Sequence, residues 1–96
     1  MKILLIVHGT VQGVGYRWLV KRVAFRNNVN GSVRNMKDGS VRIIAIADSS
    51  SLKIFEKEIC VDIRGGPSVM HVERYEEHSE MFPECPEYEK FIIEND

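Results

Sequence analysis

The sequence predicts an α+β fold in which two helices pack on one face of an antiparallel sheet. Three observations support this prediction. Short runs rich in valine, isoleucine and leucine are typical of strands, and two longer segments carry apolar residues at the helical spacing of three and four. Asp38-Gly39, between two of the apolar runs, is a hairpin signal. The length of 96 residues, 44% of them hydrophobic, suits one compact domain over residues 1–96.

The first half of the chain is predicted to alternate strand, helix and hairpin. Lys2–His8 is an apolar run typical of a strand, and Gly9–Gly15 is predicted as a loop. From Tyr16 to about Asn28 the apolar residues fall on one helical face, which favours an amphipathic helix. Two strands then flank the turn Asn35–Ser40: Gly31–Arg34 and Val41–Ala47.

The second helix is predicted after Asp48, because this residue and the serines that follow it are good N-cap residues. Arg64–Pro67 would end the helix, since it contains two glycines and a proline. We also expect Cys60 to be a buried thiol on this helix. The predicted apolar face of the helix has spacings of three, four and four: Leu52, Phe55, Ile59 and Ile63.

The C-terminal strands have a less regular pattern. From about Val69, the apolar Met70 and Val72 alternate inward, but the next core residue is Tyr75, and this spacing of three suggests a β-bulge. After an acidic, proline-containing loop, Tyr88–Glu94 is predicted as a short last strand. Apart from this short last strand, the predicted order is β-α-β-β-α-β, which is that of the ferredoxin-like split βαβ fold.

Charge is unevenly distributed along the chain. Residues 1–47 carry eight basic residues and one acidic residue, a net charge of +7, whereas residues 48–96 carry five basic and thirteen acidic residues, a net charge of −8. An anionic partner would therefore be attracted to the first half, unless the two halves interleave in the fold. The apolar run Ile3–Val7 is too short for a signal peptide or a membrane span. We therefore expect a cytoplasmic protein with no membrane partner and with free thiols at Cys60 and Cys85.

The segment Gly9–Arg17, "GTVQGVGYR", joins the first strand to the first helix. A glycine-rich turn at a helix N-terminus exposes backbone N–H groups that can bind a phosphate, and Arg17 could hold two phosphate oxygens. The alternative is an ordinary tight turn with a solvated arginine, and the glycine spacing alone does not decide between them. His8, just before this segment, could tune phosphate binding or be a partly buried spacer. Trp18 and Phe25 are expected to pack in the core.

Three motifs in order add the context that the turn lacks: "VQGVGYR" at 11–17, "GSVRNMKDGSV" at 31–41 and "GGPSVMHV" at 65–72. Together they resemble the acylphosphatase family over nearly the whole chain. The resemblance implies a small cytosolic enzyme with a ferredoxin-like fold that hydrolyses the carboxyl–phosphate bond of acyl phosphates without a metal or other cofactor.

The resemblance also implies the site residues. Arg17 matches the family's phosphate-binding arginine, and Asn35 matches its water-orienting asparagine. Inorganic phosphate or sulfate is expected to bind the loop. The loop residues whose backbone amides would hold the phosphate are Gly9, Thr10, Val11, Gln12, Gly13, Val14 and Gly15.

Several positions depart from the common family pattern and bear on rate and substrate preference. They are Gly15 before the aromatic residue, Ala47-Asp48 after the third strand, the sequence "GGPSV", and the acidic loop 76–87. Two other functions stay open at this point. One is a module that binds phosphate or acyl phosphate without turnover. The other is an RNA-binding ferredoxin-like domain, although the two predicted central strands contain no aromatic residue on which a base could stack. We expect no nucleic-acid partner.

Overall fold

The computed structural model describes residues 1–95. It contains five strands and two helices in the order β1 (Lys2–Thr10), α1 (Tyr16–Arg26), β2 (Asn30–Asn35), β3 (Val41–Ile46), α2 (Ser49–Glu58), β4 (Ser68–Glu76) and β5 (Phe91–Glu94). The sheet has the strand order β4-β1-β3-β2-β5. The predicted α+β fold with β-α-β-β-α-β order is confirmed. None of the helices in this part of the chain is long and apolar enough to cross a membrane.

The sheet is mixed, whereas a purely antiparallel sheet was predicted. β1 pairs with β3 and β4, and β2 pairs with β3, in antiparallel registers, but β5 lies parallel to β2. β4 and β5 form opposite edges of the sheet, so the chain crosses the sheet between them. Tyr88 lies on this crossing, where its carbonyl accepts from Asn30 Nδ2 and its hydroxyl bonds to Ser32 Oγ. The crossing thus brings β5 to β2 and not to β4.

The core lies between the helices and one face of the sheet. Because strand side chains alternate, β1 contributes Ile3, Leu5 and Val7 to this face, and α1 and α2 cover them. Tyr16, the first residue of α1, is buried at 1% exposure, and its hydroxyl donates to the Ile59 carbonyl at 2.9 Å. Burial raises the pKa of this tyrosine well above its ordinary value. The core thus fixes the first turn of α1 directly after the glycine-rich segment.

The second helix is shorter than predicted. It ends at Glu58 with Ile59 as its C-cap, and the chain then forms an irregular turn in which the Ile63 N–H donates to the Pro67 carbonyl. Ile63 is therefore 45% exposed and not part of a helical face, and Cys60 is exposed, not a core thiol. The prediction failed because the apolar spacing continues by chance past the end of the helix.

Further predictions about the bulge and about packing were wrong. The bulge lies at Met70, opposite His8 and Gly9, and not between Val72 and Tyr75. Met70 is consequently 82% exposed, whereas Val72 packs against the core as expected. Trp18 and Phe25 are exposed on the outer side of α1 at 67% and 85%, and the ammonium of Lys21 lies 5.5 Å from the Trp18 ring centroid.

Candidate active site

Strand register brings three separate segments to the same end of the sheet, where β1, β2 and β5 finish. Val7 of β1 lies opposite Val41 of β3, which in turn lies opposite Asn35, the last residue of β2. The chain leaves β1 only a few residues after Val7, so the glycine-rich segment begins at the same end of the sheet as Asn35, with β3 between them. β5 finishes at the same end, because Glu94 pairs with Arg34 in parallel register. The sheet therefore gathers the ends of β1, β2 and β5 around one corner.

The turn after β1 is shorter than predicted, since Gly9 and Thr10 belong to the strand. They pair with Val69 and Ser68 of β4. We call the remaining residues, 11–15, the amide loop. Two valine side chains, Val11 and Val14, pack into or against the core, so they face away from solvent. The amide loop therefore presents its backbone, not its apolar side chains, to a ligand.

The backbone of the amide loop has open donors. Within residues 1–95, no acceptor lies in hydrogen-bonding position for the N–H groups of Gln12 to Gly15. Gly13 and Gly15 have φ angles of 75° and 77°, a left-handed conformation that favours glycine. Gly15 is also the N-cap of α1, which has neither a side-chain cap nor an acidic residue in its first turn. Loop and helix N-terminus together form a region of positive backbone potential that suits an anion.

Gln12 fastens the amide loop to the β2–β3 hairpin. Its side-chain Nε2 donates to two backbone carbonyls of the hairpin, Met36 O and Ser40 O, each at 2.8 Å. The sequence indicated only that the backbone amide of Gln12 could bind phosphate. Its side chain was not anticipated, because its partners lie 24 and 28 residues further along the chain.

The hairpin is closed by its own hydrogen bonds. Asp38 Oδ1 accepts from the Ser40 N–H at 2.9 Å and from the Ser40 hydroxyl at 2.5 Å. These bonds hold the pKa of the Asp38 carboxyl below its ordinary value. The prediction that Asp38 forms the turn is confirmed. Gln12 thus binds a turn that follows directly after Asn35.

Arg17 lies in the first turn of α1, half-buried, with its guanidinium directed to the end of β5. Its Nη1 donates to the Glu94 carbonyl at 3.0 Å. Glu94 pairs with Arg34, the residue before Asn35. The structure therefore brings Arg17 and Asn35, 18 residues apart in sequence, to adjacent strand ends beside the amide loop.

Asn35 carries a polar atom that the protein does not satisfy. Its Oδ1 is buried and accepts no hydrogen bond from residues 1–95. Leaving a buried acceptor unpaired costs about 1–3 kcal/mol, so such atoms in proteins normally bind a water or a ligand donor. Asn35 Oδ1 is thus a ready acceptor at the end of the sheet where the amide loop supplies donors.

His8 belongs to a polar cluster on the helix-free face of the sheet. Its Nε2 lies 2.6 Å from Glu73 Oε2, and its ring stacks on that of His71 with 5.6 Å between centroids. Hydrogen bonds from the Tyr75 hydroxyl and from His8 lower the pKa of Glu73. The hydrogen-bond and ring partners of His8 are therefore on β4 and not in the amide loop. No group of three His, Cys, Asp or Glu side chains within residues 1–95 is arranged to hold a metal ion.

Comparison with known proteins gives one consistent result. The acylphosphatase family model matches residues 3–93. An acylphosphatase of Listeria welshimeri is 43% identical over 72 residues, which are 75% of this chain and 77% of that protein. One from Lactobacillus johnsonii is 35% identical over 88 residues, covering 91% and 90%. The crystal structure of acylphosphatase from Bacillus subtilis matches with a TM-score of 0.79 and 30% identity over 96% of each chain. The chain belongs to the acylphosphatase family.

Proposed function

We propose that this protein hydrolyses the carboxyl–phosphate bond of acyl phosphates, giving a carboxylate and inorganic phosphate. The observation that carries the proposal is the pairing of open donors with an open acceptor at one corner of the sheet. The amide loop offers unpaired N–H groups for a phosphate, and Asn35 offers an unpaired oxygen for a water. Membership of the acylphosphatase family supports the same reaction.

In this mechanism the amide loop and Arg17 bind the phosphoryl group. Transfer of a phosphoryl group passes through a loose transition state with negative charge on the equatorial oxygens. N–H groups already fixed in place stabilise that charge without reorganising during the reaction. The hydrogen bond from Arg17 to the Glu94 carbonyl supports the proposal, because it fixes the guanidinium beside the loop before substrate binds.

Asn35 orients the nucleophile. A water that donates one hydrogen bond to the buried Asn35 Oδ1 has its oxygen lone pairs free to point at phosphorus. The water oxygen forms the new P–O bond, the P–O bond to the acyl group breaks, and the carboxylate leaves with that electron pair. Asn35 is a poor base, so the water proton passes to a phosphate oxygen. The carboxylate is already a good leaving group, so the reaction needs no strong general acid.

The first test is hydrolysis of benzoyl phosphate in excess EDTA by the parent protein, Arg17→Ala and Arg22→Ala. Arg22 is an exposed arginine on the same helix, so it controls for the loss of positive charge. We expect turnover that is insensitive to EDTA, reduced by roughly 10²–10³ in Arg17→Ala and little changed in Arg22→Ala. Absence of turnover by the folded parent would contradict the proposal. If inorganic phosphate then still raised the melting temperature of the parent, the chain would be a phosphate-binding module.

A further inference from the structure

A cavity lies on the helix-free face of the sheet, beside the β2–β3 hairpin. It has a volume of about 500 Å³. Ile6 and Met36 are its apolar lining, Arg34 and Lys37 are its cations, and Asp38 is its acidic residue. Asn35 also borders the cavity, but no residue of the amide loop does, and neither does Arg17. The cavity therefore shares Asn35 with the proposed active site, whereas its other lining residues lie outside the amide loop and Arg17.

Strand register places a further cation next to this cavity. Arg42 of β3 lies opposite Ile6 of β1 on one side and opposite Arg34 of β2 on the other. Two arginines that face each other across neighbouring strands repel, and such a like-charge pair is destabilising unless an anion lies between them. The row Ile6–Arg42–Arg34 thus places an apolar residue and two guanidinium groups side by side.

Within the described part of the chain, these cations are only partly neutralised. Arg42 Nε is buried and donates to no acceptor in residues 1–95. The nearest carboxylate oxygen, Glu94 Oε2, is 3.8 Å from Arg42 Nη2. Arg34 and Lys37 form no hydrogen bond or ion pair with the same part of the chain. The one acidic residue in the cavity lining, Asp38, has its Oδ1 engaged by Ser40. Three cations thus face two carboxylates, and a buried donor lacks an acceptor.

We propose that this cavity is a second anion site, for a small organic carboxylate with an apolar body. The carboxylate bonds to the Arg34 guanidinium and to the orphaned Arg42 Nε, since charge-assisted bonds from arginine to carboxylate are strong and directional. The apolar body covers Ile6 and Met36 and removes their surface from water. The site requires no turnover and stands whether or not the amide loop performs hydrolysis.

The probe for this site is sodium benzoate, titrated into ¹⁵N-labelled protein in phosphate buffer so that phosphate occupies the amide loop. We expect the amide signals of Ile6, Met36 and Lys37 to shift with a saturable dependence on benzoate. Arg34→Gln should weaken this binding about tenfold, because a bond to a charged group is lost. Arg64→Gln, a change at an exposed arginine far along the chain, should leave it unaltered. Benzyl alcohol, the neutral analogue, should shift the same signals much more weakly.

Two results would overturn the proposal. If benzoate shifted only signals of residues 11–17, it would bind the amide loop and not this cavity. If Arg34→Gln or benzyl alcohol gave the parent's affinity, the cavity would not recognise an anion. Hydrolysis of benzoyl phosphate by Arg34→Gln, measured in parallel, is expected to match the parent at low substrate concentration. Failure of this proposal and failure of the proposed reaction are therefore distinguishable.

Discussion

The amide loop and the β2–β3 hairpin are both glycine-containing turns at the same end of the sheet, but they differ in the hydrogen bonding of their backbone N–H groups. In the hairpin, Met36 N–H bonds to the Ser40 carbonyl and Gly39 N–H to the Met36 carbonyl. In the amide loop, the N–H groups of Gln12 to Gly15 find no acceptor within residues 1–95. The hairpin thus pairs the N–H groups of Met36, Gly39 and Ser40 internally, whereas the loop leaves four consecutive N–H groups unpaired within residues 1–95.

The two turns are nevertheless connected by hydrogen bonds, and these explain how the open loop keeps its shape. A loop with unpaired donors gains little order from its own backbone. Gln12 orders the loop, because its side chain donates hydrogen bonds to two backbone carbonyls of the hairpin. Val11 and Val14 add apolar anchors beneath the loop. The N–H groups of the loop are therefore held in place while they stay unpaired within residues 1–95.

The largest change to this relation is expected from Gln12→Ala, which separates the two turns. The substitution removes two part-buried hydrogen bonds. It should therefore lower the free energy of unfolding by about 1–3 kcal/mol. Because the loop then moves relative to Asn35, kcat for benzoyl phosphate should fall more than phosphate affinity. Urea unfolding and steady-state kinetics measure the two effects. Gln12→Glu keeps the size but has no donor, so it should resemble Gln12→Ala. Unchanged kcat in both variants would show that the anchor is not needed for turnover.

A smaller effect, of the same size in both turns, is expected from adding a methyl group at their glycines. Gly13 and Gly39 have φ angles of 75° and 93°, and a Cβ at either position would meet no atom within 4 Å. Gly13→Ala and Gly39→Ala should each cost about 1 kcal/mol of stability through backbone strain alone. Only Gly13→Ala should also weaken inorganic phosphate binding, measured by calorimetry. Equal loss of binding in both variants would contradict the distinction between an open loop and a closed hairpin.

The smallest effect is expected from Asp38→Asn in the hairpin. The folded-state pKa of Asp38 is lowered by hydrogen bonds from Ser40, so its contribution to stability is present above the unfolded-state pKa. That contribution is lost as the pH falls through the folded-state pKa. Asp38→Asn should therefore lower the melting temperature slightly near neutrality and flatten its acid limb, so that parent and variant converge at low pH. A parent and variant with parallel acid limbs would contradict this assignment.

The sequence was sufficient for the order of elements and for the family, because hydrophobic periodicity and three ordered motifs are local signals. It was insufficient where the structure depends on contacts between residues that are far apart in the sequence. The edge taken by β5 depends on where residues 77–90 cross the sheet, and no local pattern encodes that path. Periodicity also carried the second helix on to Ile63, although the helix ends at Glu58. Similarly, Trp18 and Phe25 were assigned to the core from their residue types alone, whereas they lie on the outer side of α1.

The candidate site divides in the same way. The glycine-rich segment and Arg17 could be found from composition and position, and Asn35 from the family resemblance. The burial of Asn35 Oδ1 and the side-chain role of Gln12 could not be found, because both depend on which strands are neighbours. Sequence reasoning therefore named the candidate residues, and the fold shows which of their atoms lack a partner within residues 1–95.

The most direct test of the account is the effect of Asn35→Ala on binding and turnover measured separately. If Asn35 orients the water and the amide loop with Arg17 holds the phosphate, kcat for benzoyl phosphate should fall by roughly 10²–10³. The dissociation constant of inorganic phosphate should stay within about twofold of the parent, since a uniform binding contact is not removed. Loss of phosphate affinity together with kcat, or unchanged kcat, would contradict the division of labour between Asn35 and the loop.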